Sequence, residues 1–452
     1  MKAQRLTLSN YRGFPKLDLE IGSHVTVLAG VNGSGKSAIL RALASVLSHL
    51  LPEVTPSKEK PEALTAGDVH VGKPALTISG TFAEEKRVLH AQLTRGIPDP
   101  EKASEYAERR DQARFAIRET RKGSKEEMEL QEEIRYLSAL LEQDHDHFSF
   151  QVEAQKSQAR ATKVGGKGHP IAILYATSRY LGRLAPHLSG MRAFEPGNAY
   201  AGALGGTEVS LAAFANWFHA AIQGALGSRT ASNRILRLLN TVVTKLLPGF
   251  SDPRLAAKPR PRFFVKKDAI EFELQQLSDG ERGLLALAFD LTRRLAIANP
   301  GLTNPVAEGR AIVLLDEVEL HLHPSWQRKV LGRLVETFKN CQFIATTHSP
   351  QVLGEAPPGS VWMVEREGEQ MVAWQPDRTF GMDSNRLLEE LMGTDALNTK
   401  VKGKLHQISL LVDKDKFNKA EQAIAGLESK LGVDHPELIR LRALIAFVTG
   451  KK

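Results

Sequence analysis

Residues 30–37 read GVNGSGKS, and this octapeptide decides the fold. Gly30, Gly35, Lys36 and Ser37 complete the pattern G-x-x-x-x-G-K-[ST], and Gly33 adds a further glycine inside it. Glycines let successive backbone N–H groups converge on one point, a lysine reaches β- and γ-phosphate oxygens, and a hydroxyl ligates Mg²⁺. Asn32, Ser34 and Ala38 fill out the set expected around such a ligand, with ATP as the nucleotide and Mg²⁺ as its ion. The flanks agree, since HVTVLAG before the loop is a strand pattern and SAILRALASVLSHLL after it carries apolar residues at helical spacing. A strand, a glycine-rich loop and a helix predict an α/β nucleotide-binding fold of the P-loop type.

Two more strand ends carry chemistry. RAIVLLDE, residues 310–317, is an apolar run that closes on adjacent carboxylates. At the C-terminal edge of a parallel sheet Asp316 would face the phosphates and hold Mg²⁺, and Glu317 would polarise the attacking water as general base. CQFIATTHSP repeats the form with His348 at its end, placed to contact the γ-phosphate. Residues 277–289, LSDGERGLLALAF, read as a phosphate-contacting cap with no phosphate of its own.

Taken in order, GVNGSGKS, LSDGE, IVLLDE and TTHS resemble the P-loop, signature, Walker B segment and switch histidine of the ABC-type ATPases, in the branch of the RecF and SMC proteins. In that family ATP is sandwiched head to tail between two nucleotide-binding domains, and the signature of one closes on the P-loop of the other. The resemblance therefore implies that Ser278, Gly280 and Glu281 face the nucleotide of a second chain in a symmetric homodimer, and that Lys36, Glu317 and His348 are catalytic. Arg12, in the NYRGF segment, inherits a nucleotide contact. The family's Gln loop would fall in IAILYATSRY, which holds Arg179 and no glutamine, so that role has no residue. DVHVGKPALTISGTF, FANWF, DEVELHLHPSWQ and FGMDSNRLLEELMG are further similar to the stand-alone ATPases of bacterial anti-phage systems of the Septu, retron and PARIS types. That likeness implies a sensor or scaffold working with a separate effector, commonly a nuclease. A RecF-like repair ATPase and an assembly scaffold with little turnover are the rival readings.

The rest of the chain is read around this core. The expected organisation is an ATPase lobe over 1–100, a helical hairpin insertion over 101–160, a return strand over 161–185 and a helical subdomain over 186–250. A second lobe follows over 251–380, with a C-terminal helical region over 381–452. LTLSNYRGFPKLDLEI reads as two strands around a turn at Gly13-Phe14-Pro15, and RFFVKKDAIEFELQQ as a hairpin. Residues 101–143 hold 11 acidic against 9 basic side chains, a solvated face too poor in apolar positions for sustained heptads. ATKVGGKGH at 161–169 is a linker, and the last helix is expected to open at Asp434 with Pro436 and Glu437.

Composition excludes several classes. Among 452 residues, 42% hydrophobic, there is one cysteine, Cys341, so neither an internal disulfide nor a cysteine-cluster zinc site can form. No apolar run of membrane-spanning length and no secretory leader is read, which predicts a cytoplasmic protein with no membrane partner. The net charge of +8 invites a polyanion. RLAAKPRPRFFVKK, with Arg254, Lys258, Arg260, Arg262, Lys266 and Lys267 beside Phe263 and Phe264, is the candidate DNA or RNA contact, the plainer alternative being an exposed hairpin. QDHDHFSF and HLHP look like metal clusters but lack a second ligand pair at zinc spacing. ISLLVDKDK superficially offers the strand and paired aspartates of the TOPRIM nuclease domain, as in the overcoming-lysogenisation nucleases. Too little chain follows Asp415 to complete one, and KLHQISLLV reads equally well as a helix.

Overall fold

A computed structural model describes residues 1–85, 87–96, 100–120, 130–131, 133–134, 146–154, 168–179, 182, 184–188, 195–206, 208–226, 228–395 and 397–450. The chain divides into two compact units, Met1–Met382 and Asp383–Lys452.

The first unit opens with β1 (Lys2–Tyr11) and β2 (Phe14–Glu20), an antiparallel pair whose turn falls at Arg12-Gly13, ahead of the Gly13-Phe14-Pro15 turn expected. β3 (Val25–Ala29) leads through the glycine loop into α1 (Lys36–Val54). β4 (Ala75–Glu84) and β5 (Arg87–Gly96) follow, then α2 (Pro100–Glu119) and β6 (His147–Ala154). The five antiparallel strands lie in the order β2-β1-β4-β5-β6. β6 lies inside the stretch expected to be a helical insertion. HFSFQVEA alternates apolar and polar side chains and pairs with the length of β5, so tertiary pairing outweighs the helix-forming sequence before it. The return arm expected up to residue 143 and the linker to residue 167 fall almost wholly outside the described residues; Arg109 on α2 pairs with Glu133 at 2.9 Å.

The second sheet is built from distant segments. β7 (Ile171–Tyr175) is buried along its whole length, and α3 (Leu211–Ile222) and α4 (Arg229–Leu246) succeed it. β8 (Phe250–Ala256), β9 (Arg262–Lys267) and β10 (Ile270–Glu273) form a small antiparallel sheet. Then come α5 (Asp279–Ala298), the single-turn α6 (Pro305–Glu308), β11 (Ala311–Leu315), α7 (Pro324–Thr337), β12 (Cys341–Thr347), α8 (Pro350–Glu355) and the hairpin β13 (Val361–Glu367) with β14 (Gln370–Trp374). The six-stranded sheet runs β14-β13-β3-β12-β11-β7 and is parallel except at its β13–β14 edge. Parallel strands covered on both faces carry continuous apolar runs, as AIVLL and CQFIATT do.

α1 packs between the two sheets and touches strands of each. It is the one described helix long and apolar enough to cross a bilayer, and two-thirds of that stretch is buried inside the protein, so here it is the core helix. A second apolar centre joins α3, β9 and α5: Phe214 stacks flat on Phe289 with ring centroids 4.3 Å apart, and Phe263 packs on Phe214, Phe218 and Phe289.

The second unit contains α9 (Ser384–Glu390), α10 (Thr399–Asp413), α11 (Phe417–Leu431) and α12 (Pro436–Thr449). Leu405, Ile408, Val412, Ile424, Leu438 and Leu441 form its own core. ISLLVDKDK is therefore the end of a helix and the turn after it, so Asp413 and Asp415 do not close a strand as the paired aspartates of a TOPRIM domain would. His435 and not Asp434 stands at the N-cap position of α12, without a side-chain cap bond, because Pro436 occupies the first helical position and fixes the entry one residue later.

Buried charge sits beside the apolar centre. Asp290 on α5 accepts from Arg293 at 2.6 Å, from Arg294 at 2.7 Å and from the Tyr175 hydroxyl at 3.1 Å. Burial by itself would push this carboxyl up, but Arg294 and Arg293 outweigh it and hold the group at about 2. Replacing Asp290 by Ala strands two buried guanidinium groups and is expected to cost ~3–5 kcal/mol of unfolding free energy. Asp18→Ala, which breaks only the exposed pair with Arg5, should cost at most about 1 kcal/mol. Urea unfolding of both variants decides this, and equal losses would refute the ranking.

Candidate nucleotide site

The site lies along the C-terminal edge of the parallel sheet. Register places Leu315 opposite both Tyr175 and Ala345, and Thr347 opposite Ala29, so β7 and β11 end together while β3 and β12 run two residues further toward the same edge of the sheet. The glycine loop leaves β3 there. Gly30 adopts φ 147°, and a Cβ on it would come within 2.0 Å of the Val364 carbonyl on β13, so only glycine fits. α1 then begins with no side-chain cap and no acidic residue in its first turn, which leaves its first N–H groups and the positive end of its dipole toward the loop. Val31, Asn32, Gly33 and Ser37 are exposed, whereas Ser34, Lys36 and Ala38 are buried.

Lys36 is folded back over its own loop. Its Nζ donates to the Gly30 carbonyl at 3.0 Å and the Val31 carbonyl at 2.8 Å, and lies 3.5 Å from Ser34 Oγ. The residue is 5% exposed, and desolvation lowers its ammonium from 10.5 to about 8 against the opposing pull of Asp316, Glu317 and Glu319.

The carboxylates meet the loop directly. Ser37 Oγ donates to Asp316 Oδ1 at 2.9 Å, and Thr346 Oγ1 donates to the same oxygen at 2.6 Å. A serine hydroxyl and a carboxylate are hard oxygen donors of the kind Mg²⁺ takes, so Ser37 and Asp316 fit that ion. Glu317 sits at φ 47°, an unusual conformation for a side chain of this size. Its N–H donates to Thr346 Oγ1 at 2.7 Å. His348 closes the constellation: its backbone N–H donates to Glu319 Oε1 at 2.5 Å, and burial together with the neighbouring Lys36 holds its imidazole below the usual range.

Arg12 occupies the β1–β2 turn at φ 48°, where its Nε donates to Asp68 at 2.8 Å. The Phe14 ring after that turn lies against Gly35, so the turn abuts the phosphate loop. The signature residues stand at the start of α5. Ser278 is its N-cap and exchanges bonds with Glu281, whose Oε2 accepts from the Ser278 N–H at 3.0 Å and hydroxyl at 2.9 Å. Lys267 donates to the other Glu281 oxygen at 2.6 Å. A Cβ on Gly280 would lie 2.3 Å from the His321 carbonyl, so the signature glycine lets α5 rest on the HLHP turn. In that turn His323 caps α7 by accepting from the Ser325 N–H, and no group of three or more His, Cys, Asp or Glu side chains placed to hold a metal occurs among the described residues.

Several residues here carried no separable signal in the sequence. Arg179, beyond the end of β7, donates through Nη1 to the Asp316 carbonyl and through Nη2 to the Glu317 carbonyl at 2.5 Å. Thr346 and Glu319 bind Walker B and switch backbone, and Gln327 accepts from Ser349 at 2.7 Å while donating to the Leu322 carbonyl at 2.8 Å. The basic strip, by contrast, has three of its six cations paired with carboxylates. Arg254 pairs with Glu271, Lys266 with Asp252 and Lys267 with Glu281, Phe263 is core, and Phe264 lies under Arg254 and Arg262.

Residues 5–176 match the family described as "AAA domain", and residues 203–354 the family described as "AAA domain, putative AbiEii toxin, Type IV TA system". The chain is 36% identical over 217 residues to the retron Ec83 probable ATPase of Escherichia coli, covering 47% of this chain and 39% of that protein. It is 40% identical over 102 residues to the Septu protein PtuA of Bacillus mycoides, covering 23% of this chain and 14% of that protein. The chain thus spans well under half the length of these relatives. A solved SMC head domain from Thermotoga maritima is 16% identical with a TM-score of 0.42, covering 84% of this chain and all of that one. The chain is thus similar to ATPases of anti-phage defence systems.

The Lys36 ammonium gives a signed pH dependence. Its folded value of about 8 lies below the unfolded 10.5, so between these limits the unfolded chain binds more protons and stability from this group rises with pH. Denaturant unfolding of the wild type and Lys36→Met should therefore diverge between about pH 8 and about pH 10, the wild type gaining up to ~1.4 kcal/mol per pH unit relative to the variant. Parallel curves would show that Lys36 is not desolvated.

Proposed function

We propose that this chain hydrolyses ATP at the edge formed by the glycine loop, Asp316, Glu317 and His348, and that it does so as a head-to-tail pair in the cytoplasm. The single observation that carries the reading is the meeting of Ser37 and Asp316, at 2.9 Å, beside a loop whose lysine is held by its own carbonyls. Those carbonyl bonds keep Lys36 beside the loop, and phosphate oxygens would exchange for them. Mg²⁺ shared by Ser37 and Asp316 would neutralise charge on the β- and γ-phosphates. Glu317 takes the proton of the attacking water, with its backbone fixed by Thr346. His348, kept neutral by its surroundings, donates a hydrogen bond toward the γ-phosphate. Arg12 reaches the nucleotide from the β1–β2 turn.

One loop and one signature per chain favour two copies that complete each other's sites. Ser278 then contacts the γ-phosphate across the pair, while Gly280 and Glu281, committed to the HLHP turn and to Lys267, shape the end of α5 behind it. By likeness to the retron and Septu ATPases, the assembled state serves a defence system and controls a separate effector, a nuclease. Lys258, Arg260 and Arg262 are the strip's remaining cations for DNA or RNA.

Lys36→Ala is expected to abolish nucleotide binding in a fluorescent-ATP titration, and retained affinity would overturn the loop assignment. Glu317→Gln keeps the shape of the base without its basicity, so turnover should fall on the order of 10²-fold or more while ATP still binds. Light scattering should show this variant more highly assembled with ATP than without, and adding Ser278→Arg should reverse the shift. Mixing Ser278→Arg with Lys36→Ala chains restores one intact site per heterodimer, so partial activity should reappear. A Ser278→Arg chain with normal turnover would rule out action in trans.

A further inference from the structure

The segment where a glutamine would sense the metal ends instead in Arg179, and its geometry gives that arginine a different task. Arg179 is 8% exposed and reaches across from β7 to β11, where its two terminal nitrogens take the carbonyls of Asp316 and Glu317, consecutive residues of the catalytic turn. A planar guanidinium matches two adjacent acceptors in a way an ammonium cannot. Asp316 is tied to the same strand from its other side, since its N–H donates to the Tyr175 carbonyl at 2.8 Å. Tyr175 is itself anchored through its hydroxyl to Asp290 on α5. Glu317 is consequently held on both sides of its Cα: its N–H by Thr346, and its carbonyl by Arg179 together with the Leu320 N–H.

This matters because of the backbone at Glu317. A φ of 47° is costly for a non-glycine residue and persists only where the surroundings over-determine it. Arg179 and Thr346 are the two side chains that bond this peptide directly. The arginine also returns positive charge to a cluster of three carboxylates, Asp316, Glu317 and Glu319. Glu319 Oε2 is buried and takes no hydrogen bond, so that cluster is not neutralised by hydrogen bonding alone.

We propose that Arg179 is a positioning residue that takes the structural place of the absent glutamine: it clamps the main chain of Asp316 and Glu317, holds Glu317 in its strained conformation and so aims the general base. It does not touch nucleotide. The proposal rests on the reading of Glu317 as the base, and the experiment separates the two.

Arg179→Lys keeps the charge and loses the fork, and Arg179→Gln keeps planarity and loses the charge. For both, the KM for ATP and the affinity for a fluorescent ATP analogue should stay within about threefold of the parent, while kcat falls by on the order of 10- to 10²-fold. In a Glu317→Gln background the same substitutions should change the residual rate less than about twofold, since no base remains to be aimed. Without any nucleotide, amide exchange of the peptide spanning residues 316–320 should quicken in both variants, while a peptide from β12 should exchange as in the parent. Parental kcat in Arg179→Lys and Arg179→Gln, a loss additive with Glu317→Gln, or unchanged exchange at 316–320 would each overturn the proposal. If the parent chain turned over no ATP at all, the assignment of Glu317 would fail, and the exchange measurement would still decide whether Arg179 clamps the turn.

Discussion

One carboxylate oxygen, Asp316 Oδ1, receives the hydroxyls of Ser37 from the phosphate loop and Thr346 from the switch strand. Ser37, Thr346 and Asp316 lie on three separate segments, the first of them 279 residues from Asp316, and the parallel register of β3, β12 and β11 brings them to one edge of the sheet. The small residues and polar ends at this edge follow from that demand. Gly30 admits the Val364 carbonyl, Thr346 spends its hydroxyl on Asp316 and the Glu317 N–H, and Lys36 is desolvated above the sheet. A charged ligand entering such an edge meets groups already ordered, which lowers the reorganisation needed for chemistry.

The same economy governs the opposite side of the unit. α5 begins at the signature and runs through Asp290, so its exposed end and its buried charge belong to one rigid element. Gly280 seats that end on the His321 carbonyl, a turn beyond Glu317, and Asp290 ties the helix to Tyr175, at the end of the strand that leads to Arg179. The start of α5 and the turn at Glu317 are therefore joined through two routes within one chain. What closes on Ser278 from outside would act on a helix already connected to Glu317.

Nucleic-acid contact by the basic strip is weaker in three dimensions than in one. Its six cations are spread over two paired strands and the loop that joins them, where Glu271, Asp252 and Glu281 lie within reach of three of them. Phe263 points into the α3–α5 centre because alternate residues of a strand face opposite sides, and Phe264 on the other side is already covered by guanidinium groups.

Local chemistry made much of this readable in advance. GVNGSGKS, the apolar runs ending in Asp316 and at His348, and the helices about LSDGE and beyond residue 380 carry their geometry in residue type and spacing, because a glycine turn, a period of two and a period of 3.6 are set by the backbone itself. Arg179, Thr346 and Glu319 are different. Arginine, threonine and glutamate are common at strand ends, and their partners are main-chain groups that carry no sequence signature at all. β6 was hidden for a related reason: an alternating octapeptide becomes a strand only when an edge such as β5 is there to pair with it. The sequence by itself determined the glycine loop and the apolar strands that end in Asp316 and at His348. Only the tertiary structure decided which carbonyls Arg179 clamps and which charges are already taken, because both depend on distances between segments that the chain brings together solely by folding.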